Sequence, residues 1–301
     1  MTISSTHLHG LWLPLITPFR DGALDEASLR HLVRHYAAKP IDGLVLGATS
    51  GEGLSLSWDE RARLVKVVRA ECDGIGRPLP ICLGLGGVAT SDLIEALDRT
   101  ASWPIDFYLI SSPPYVRPSQ RGLLAHFTAL ADRTAHPIVL YNIPYRSAVG
   151  LDNETLLQLA AHPAIAGLKD CCANRMQTRE LIARRPPDFR ILTGEDAQSF
   201  DALQAGADGA ILLSAHLETA TFAAILRRVK AGETEAAATS WAEVEDLTRL
   251  LFTEPSPAPA KYWLARTGLI ASPEVRLPMV EVGAALAARL DQEIERRRGG
   301  G

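Results

Sequence analysis

Three groups of residues at the ends of short apolar runs, and an arginine shortly after one of them, suggest carbonyl chemistry. Lys169 follows Ile165-Ala166-Gly167-Leu168 with no spacer. Apolar walls disfavour an ammonium, and an amine held among them can attack a carbonyl carbon to form a Schiff base, an electron sink for carbanion chemistry. On position alone, a lysine leaving a strand end for water is the commoner arrangement. Tyr141 closes the run Pro137-Ile138-Val139-Leu140. A phenol there could pass protons to and from an imine, and a packed aromatic at a rim fits the position equally well. Gly47-Ala48-Thr49-Ser50-Gly51-Glu52-Gly53 follows another run. The Thr49 and Ser50 hydroxyls with nearby N–H groups can hold a carboxylate, although turns often carry hydroxyls without a ligand. Arg146 could pair bidentately with a second carboxylate, and by itself it reads more readily as a surface arginine.

Other chemistries find less support. Gly84-Leu85-Gly86-Gly87-Val88-Ala89 has the spacing of a dinucleotide-binding loop. An acid 22 residues past Gly84, Asp106, precedes the next apolar run, whereas a ribose-binding acid follows the next strand. The eight histidines are scattered and the four cysteines show no C-x-x-C pair, so no metal is expected. A net charge of −4 gives no basic face for nucleic acid. The first residues lack the pattern of a signal peptide, and no apolar stretch is long enough to span a membrane. The expectation is a cytoplasmic protein with mostly buried thiols and no membrane partner. Arg296, Arg297 and Arg298 read as a solvated tail after a final helix.

The elements that would position these groups alternate. Apolar runs occupy 11–16, 43–46, 79–83, 107–110, 138–141, 165–168, 190–192 and 209–213. They are apolar on both faces, as parallel strands buried under helices must be. Amphipathic patterns lie between them, one opening at Ser57 with Glu60 placed for a capping box. Eight strand–helix repeats predict an α/β fold, a (β/α)8 TIM barrel. After about residue 232 only helical patterns remain, over 233–252, 259–267 and 278–297, with a proline-rich break at 254–259. The expected division is a catalytic barrel over 1–231 and a C-terminal helical appendage over 232–301. Active sites of such barrels lie at the C-terminal ends of the strands, where Lys169 and Tyr141 fall.

The chain resembles the pyruvate-dependent Schiff-base aldolases, the family of dihydrodipicolinate synthase and N-acetylneuraminate lyase. The likeness runs in order from Leu15-Ile16-Thr17-Pro18-Phe19 to Arg276-Leu277-Pro278-Met279. It includes Ala48-Thr49-Ser50-Gly51-Glu52, the tyrosine loop Pro114-Tyr115-Val116-Arg117-Pro118, Tyr141-Asn142-Ile143-Pro144, Gly167-Leu168-Lys169-Asp170, Gly194-Glu195-Asp196 and the region ending in Ala260-Lys261. The resemblance implies that Lys169 attacks the pyruvate ketone, that Tyr141 relays protons, and that Thr49, or Ser50, links Tyr141 to Tyr115. Tyr115 would come from a neighbouring subunit, which implies a dimer or tetramer. Thr49 and Ser50 would hold the pyruvate carboxylate, and Gly194 and Ile211 would line the pocket. No metal or organic cofactor is implied.

Arg146 stands where dihydrodipicolinate synthases carry an arginine for the carboxylate of aspartate semialdehyde, and N-acetylneuraminate lyases usually have an apolar residue. This favours an acidic second substrate. Some positions depart from the family pattern. Gly86-Gly87-Val88 replaces Gly-Ala-Asn, Pro114-Tyr115 replaces a tyrosine pair, and Trp58 and Arg61 stand where some members have histidines. Several of these positions contact the inhibitor in lysine-inhibited synthases, so weak or absent lysine inhibition is expected. Cys171-Cys172 replaces a small polar pair and has no explanation beyond packing. The alternatives are a catabolic aldolase or dehydratase acting on a sugar-derived keto acid, and a non-catalytic keto-acid sensor. The sensor would have no need of two phenols beside an amine.

Overall fold

The computed structural model describes residues 7–299. Eight strands form the closed parallel barrel. They are β1 (Gly10–Pro14), β2 (Gly43–Leu46), β3 (Ile81–Leu85), β4 (Phe107–Ser111), β5 (Ile138–Asn142), β6 (Ile165–Asp170), β7 (Arg190–Thr193) and β8 (Gly209–Ile211). All eight apolar runs become strands, because a strand covered on both faces needs apolar side chains in both directions. A two-stranded hairpin, Phe19–Arg20 with Ala23–Leu24, also forms, too short to leave a sequence pattern.

The chain divides into two compact units. One contains Pro80–Leu212 and the described residues before Leu13. In it β3, β4, β5, β6, β7, β8 and β1 pair in that order, each parallel to the next. Asp106 accepts the Ile81 N–H at 2.7 Å, so this acid joins two strand starts. The barrel interior of this unit includes Trp12, packed edge-on against Phe107 at 5.9 Å.

The other unit contains Leu13–Leu79 and the described residues from Leu213 onward. Helix Trp58–Gly74 starts at the expected capping box, with Ser57 and Glu60 satisfying each other's N–H groups. Three further helices, Thr234–Leu251, Ala258–Arg266 and Ala284–Gly299, follow residue 232. They bury Leu247, Leu251, Trp263, Leu286, Leu290 and Ile294 among themselves, with Leu217 at the edge of the cluster.

Two expectations about this end need correction. The last helix begins at Ala284 rather than Pro278. The preceding Gly283 N–H is held by the Glu254 carboxylate at 2.9 Å, which supplies an acceptor and a negative charge where the helix needs both. The arginine run is solvated only in part: Arg296 and Arg298 are exposed, whereas Arg297 is held. The run lies in that helix, and Arg297 donates to the Glu218 carboxylate at 2.6 Å and the Glu243 carbonyl at 2.9 Å.

Candidate active site

β5 and β6 run side by side in register, with Tyr141 opposite Lys169 and Asn142 opposite Asp170. Successive strand residues face opposite ways, so the first pair shares one face and the second pair the other. Lys169 is 5% exposed and Tyr141 6%. The Lys169 Nζ lies 4.3 Å over the centre of the Tyr141 ring.

The pair on the other face fixes the backbone beneath them. The Asp170 carboxylate accepts from Asn142 Nδ2 at 3.1 Å, from the Cys172 N–H at 3.1 Å and from Thr178 Oγ1 at 2.6 Å. Asn142 Oδ1 accepts the Leu151 N–H at 3.0 Å. Burial pushes the Asp170 carboxyl upward, and the Thr178, Cys172 and Asn142 donors oppose it. These bonds tie β5, β6 and helix Arg175–Arg184 together at the strand ends.

β7 contributes a close approach. The Gly194 N–H donates to the Asp170 carbonyl at 2.8 Å. A Cβ at Gly194 would lie 2.3 Å from Lys169 Cε and 2.7 Å from Cys171 Sγ. Only glycine leaves room for the lysine stem. Cys171 packs on the same space, and burial pushes its thiol up to about 12. It is therefore a filler rather than a nucleophile at neutral pH. Burial and the neighbouring Asp196 push the Glu195 carboxyl upward, while Lys169 and Arg146 pull it down.

The remaining expected residues lie on other elements. Arg146 is exposed on the short helix Pro144–Ser147 and lies 5.5 Å over the Tyr145 ring. It makes no ion pair among the described residues. Ile211 is buried at the end of β8, in register with Trp12. Tyr115 is 91% exposed and holds φ 72°. A left-handed backbone costs a non-glycine residue about 1–2 kcal/mol.

Thr49 and Ser50 lie in the other unit, half-buried and buried in the loop after β2. That loop closes on itself. The Glu52 N–H donates to the Thr49 carbonyl and the Gly53 N–H to the Ala48 carbonyl, both at 3.1 Å. Thr17 Oγ1 donates to the Gly51 carbonyl at 2.7 Å. A Cβ at Gly53 would lie 1.6 Å from the Gly47 oxygen, so that position admits no other residue.

Residues 7–296 match the Dihydrodipicolinate synthetase family. The chain belongs to this family. It is 40% identical over 286 residues to the 4-hydroxy-tetrahydrodipicolinate synthase 2 of Clostridium acetobutylicum, covering 95% of this chain and 99% of that one. The chloride-inhibited dihydrodipicolinate synthase of Acinetobacter baumannii complexed with pyruvate is 28% identical, with a TM-score of 0.91 over 95% of this chain and 98% of its own. The synthase of Cyanidioschyzon merolae with lysine bound is 30% identical, with a TM-score of 0.90 over 95% and 97%. Within the dihydrodipicolinate synthetase family pattern, the sequence marked Lys169-Asp170 and Tyr141-Asn142 as motifs. It did not mark that Asp170, Asn142 and Thr178 form one anchor. The available signal was the repeated step from a reactive residue to a polar one at two strand ends.

Proposed function

We propose that this chain is a Schiff-base lyase that joins pyruvate to aspartate semialdehyde, the reaction of a 4-hydroxy-tetrahydrodipicolinate synthase. The observation that carries this reading is the buried Lys169 amine over the Tyr141 ring at the ends of paired strands. The Lys169 amine adds to the C2 ketone of pyruvate, and water leaves to give an imine. Loss of a C3 proton gives the enamine, whose C3 bonds to the aldehyde carbon while a proton reaches the new alkoxide; the amino group of the second substrate then adds to C2 and expels the Lys169 amine, which closes the ring and frees the enzyme. Tyr141 carries these protons. Thr49 and Ser50 hold the pyruvate carboxylate, with Thr49 also in the relay, and Gly194 and Ile211 shape the pocket.

Arg146 takes the carboxylate of the second substrate. Its exposed guanidinium with no ion pair among the described residues supports this, since a fork of N–H donors suits a carboxylate. Tyr115 completes the relay from a neighbouring subunit, so the working form is a homo-oligomer. Its exposure on strained backbone supports that role. The barrel over 1–231 carries the chemistry and 232–301 is the helical extension. The four free cysteines, three of them buried, fit a reducing cytoplasm. No described helix is long and apolar enough to cross a membrane.

Borohydride reduction in the presence of pyruvate tests the nucleophile. A mass adduct should appear on the peptide carrying Lys169 and vanish in Lys169→Ala. An adduct on another lysine, or none, refutes the mechanism. A coupled assay over a panel of aldehydes and keto acids tests the second substrate. Turnover of a sugar-derived keto acid without turnover of aspartate semialdehyde would reassign the activity.

A further inference from the structure

Glu52 and Lys261 are 209 residues apart in sequence and form an ion pair inside one compact unit. Lys261 is 0% exposed. Its Nζ also donates to the Glu274 carbonyl at 2.8 Å and lies 4.2 Å over the Phe19 ring. The second Glu52 oxygen accepts the Arg276 N–H at 2.9 Å. The Arg276 guanidinium then reaches the Glu60 carboxylate, the Ser55 carbonyl at 2.9 Å and the Gly22 carbonyl at 2.8 Å. Residues 261 and 276 of the helical extension therefore clasp the segment that follows Thr49 and Ser50.

Stability alone does not explain this arrangement. Taking two charges out of water costs more than their attraction usually returns, and a packed apolar pair would hold the fold at least as well. Burial pulls the Lys261 amine down to about 8, against the pull of Glu52. Glu52 also occupies left-handed backbone at φ 50°, a region most side chains avoid. The backbone cost falls on the residue whose N–H closes the turn onto the Thr49 carbonyl, and the buried ion pair ends on that same residue. The Glu52 side chain is the outer handle of a loop whose hydroxyls face the task of holding a carboxylate.

We propose that Glu52 and Lys261 are positioning residues whose ion pair holds the Thr49–Ser50 segment in the shape that receives the pyruvate carboxylate, so that the helical extension sets pyruvate affinity. This rests on the assignment of Thr49 and Ser50 made above.

The test compares Glu52→Gln, Lys261→Met and the double variant, each checked for folding by circular dichroism and melting. Steady-state rates give kcat and the KM for pyruvate. The pyruvate concentration giving half-maximal borohydride inactivation provides a second measure of affinity. The expected result is a pyruvate KM raised about tenfold or more with kcat nearly unchanged, the signature of lost substrate binding. The half-inactivation concentration should rise in parallel. The double variant should be no worse than the single ones, because the two charges act as a unit.

A single variant that fails to fold leaves the double one, which strands no lone buried charge. A folded double variant with wild-type pyruvate KM overturns the inference, and so does a double variant that cannot fold. Thr49→Val and Ser50→Ala separate the two levels. If neither raises the pyruvate KM, the carboxylate assignment itself has failed, and this inference with it. If they raise it and the folded pair variants do not, only the positioning role is wrong.

Discussion

The Lys169 Nζ sits 4.3 Å over the centre of the Tyr141 ring, and the two residues are register partners on adjacent parallel strands. Amine and phenol are therefore held by the barrel ladder rather than by mobile loops. A proton relay placed this way should contribute roughly 10²–10⁴-fold to turnover. Tyr141→Phe keeps the ring and removes the hydroxyl, so kcat should fall by about that factor with the melting temperature nearly unchanged. Initial rates and thermal melts check this. Turnover within about threefold of wild type would remove Tyr141 from the chemistry.

Gly194 should tolerate no side chain. The Cβ of Gly194→Ala would fall on the Lys169 stem and on Cys171 at once. The lysine must then swing away from Tyr141, or the end of β7 must move. Overpacking of this kind costs about 1–3 kcal/mol, which lowers the melting temperature and leaves a folded protein. Adduct formation with pyruvate should drop sharply in that folded protein. Mass spectrometry after borohydride reads this directly, and wild-type labelling would show that the stem has more room than the packing implies.

The barrel was legible because buried parallel strands leave continuous apolar runs. The placement of Lys169 and Tyr141 at strand ends was legible because each closes such a run. The partners of Asp170 were not, since which residues face each other depends on register between strands. The pairing of Glu52 with Lys261 was hidden for the same reason over a longer span. The start of the last helix was misread because Pro278 suits a first helical turn and apolar residues follow it. Its actual start depends on a carboxylate from Glu254, which no local pattern announces.

Tyr115 acting from a neighbouring subunit predicts rescue between dead variants. Lys169→Ala and Tyr115→Phe should each be nearly inactive alone. After unfolding and refolding together, a mixed dimer contains one site with an intact lysine and an intact partner tyrosine. Random reassortment of dimers should restore about a quarter of wild-type activity. Activity that stays at the sum of the separate variants would place Tyr115 outside the neighbouring site.

Free lysine should inhibit weakly or not at all. The Arg61 guanidinium is already committed to the Gly53 and Leu56 carbonyls. It is buried and packs 5.2 Å over Trp58. Val88, exposed, offers no side-chain amide to a ligand. Titrating lysine into the coupled assay is the check, and half-inhibition below about 1 mM, a binding free energy of about 4 kcal/mol, would contradict it.

Acid should weaken the unit that contains His216. Its ring is buried, stacks edge-on with Tyr36 at 5.2 Å, and binds the Leu213 carbonyl through Nδ1 at 2.9 Å. Nε2 has no partner among the described residues, so an incoming proton would find no acceptor there. Burial lowers the imidazole to about 4, with only the Leu213 carbonyl opposing. The unfolded chain takes up that proton below about pH 6.5, while the native state refuses it until about pH 4. The stability His216 protects is thus fully present above pH 6.5 and is lost as pH falls towards 4, by roughly 3 kcal/mol in all. Urea unfolding of wild type and His216→Gln across that window separates this from carboxylate titration. Wild type should lose its advantage steadily on acidification, and a constant difference between the two would show that His216 does not titrate with unfolding.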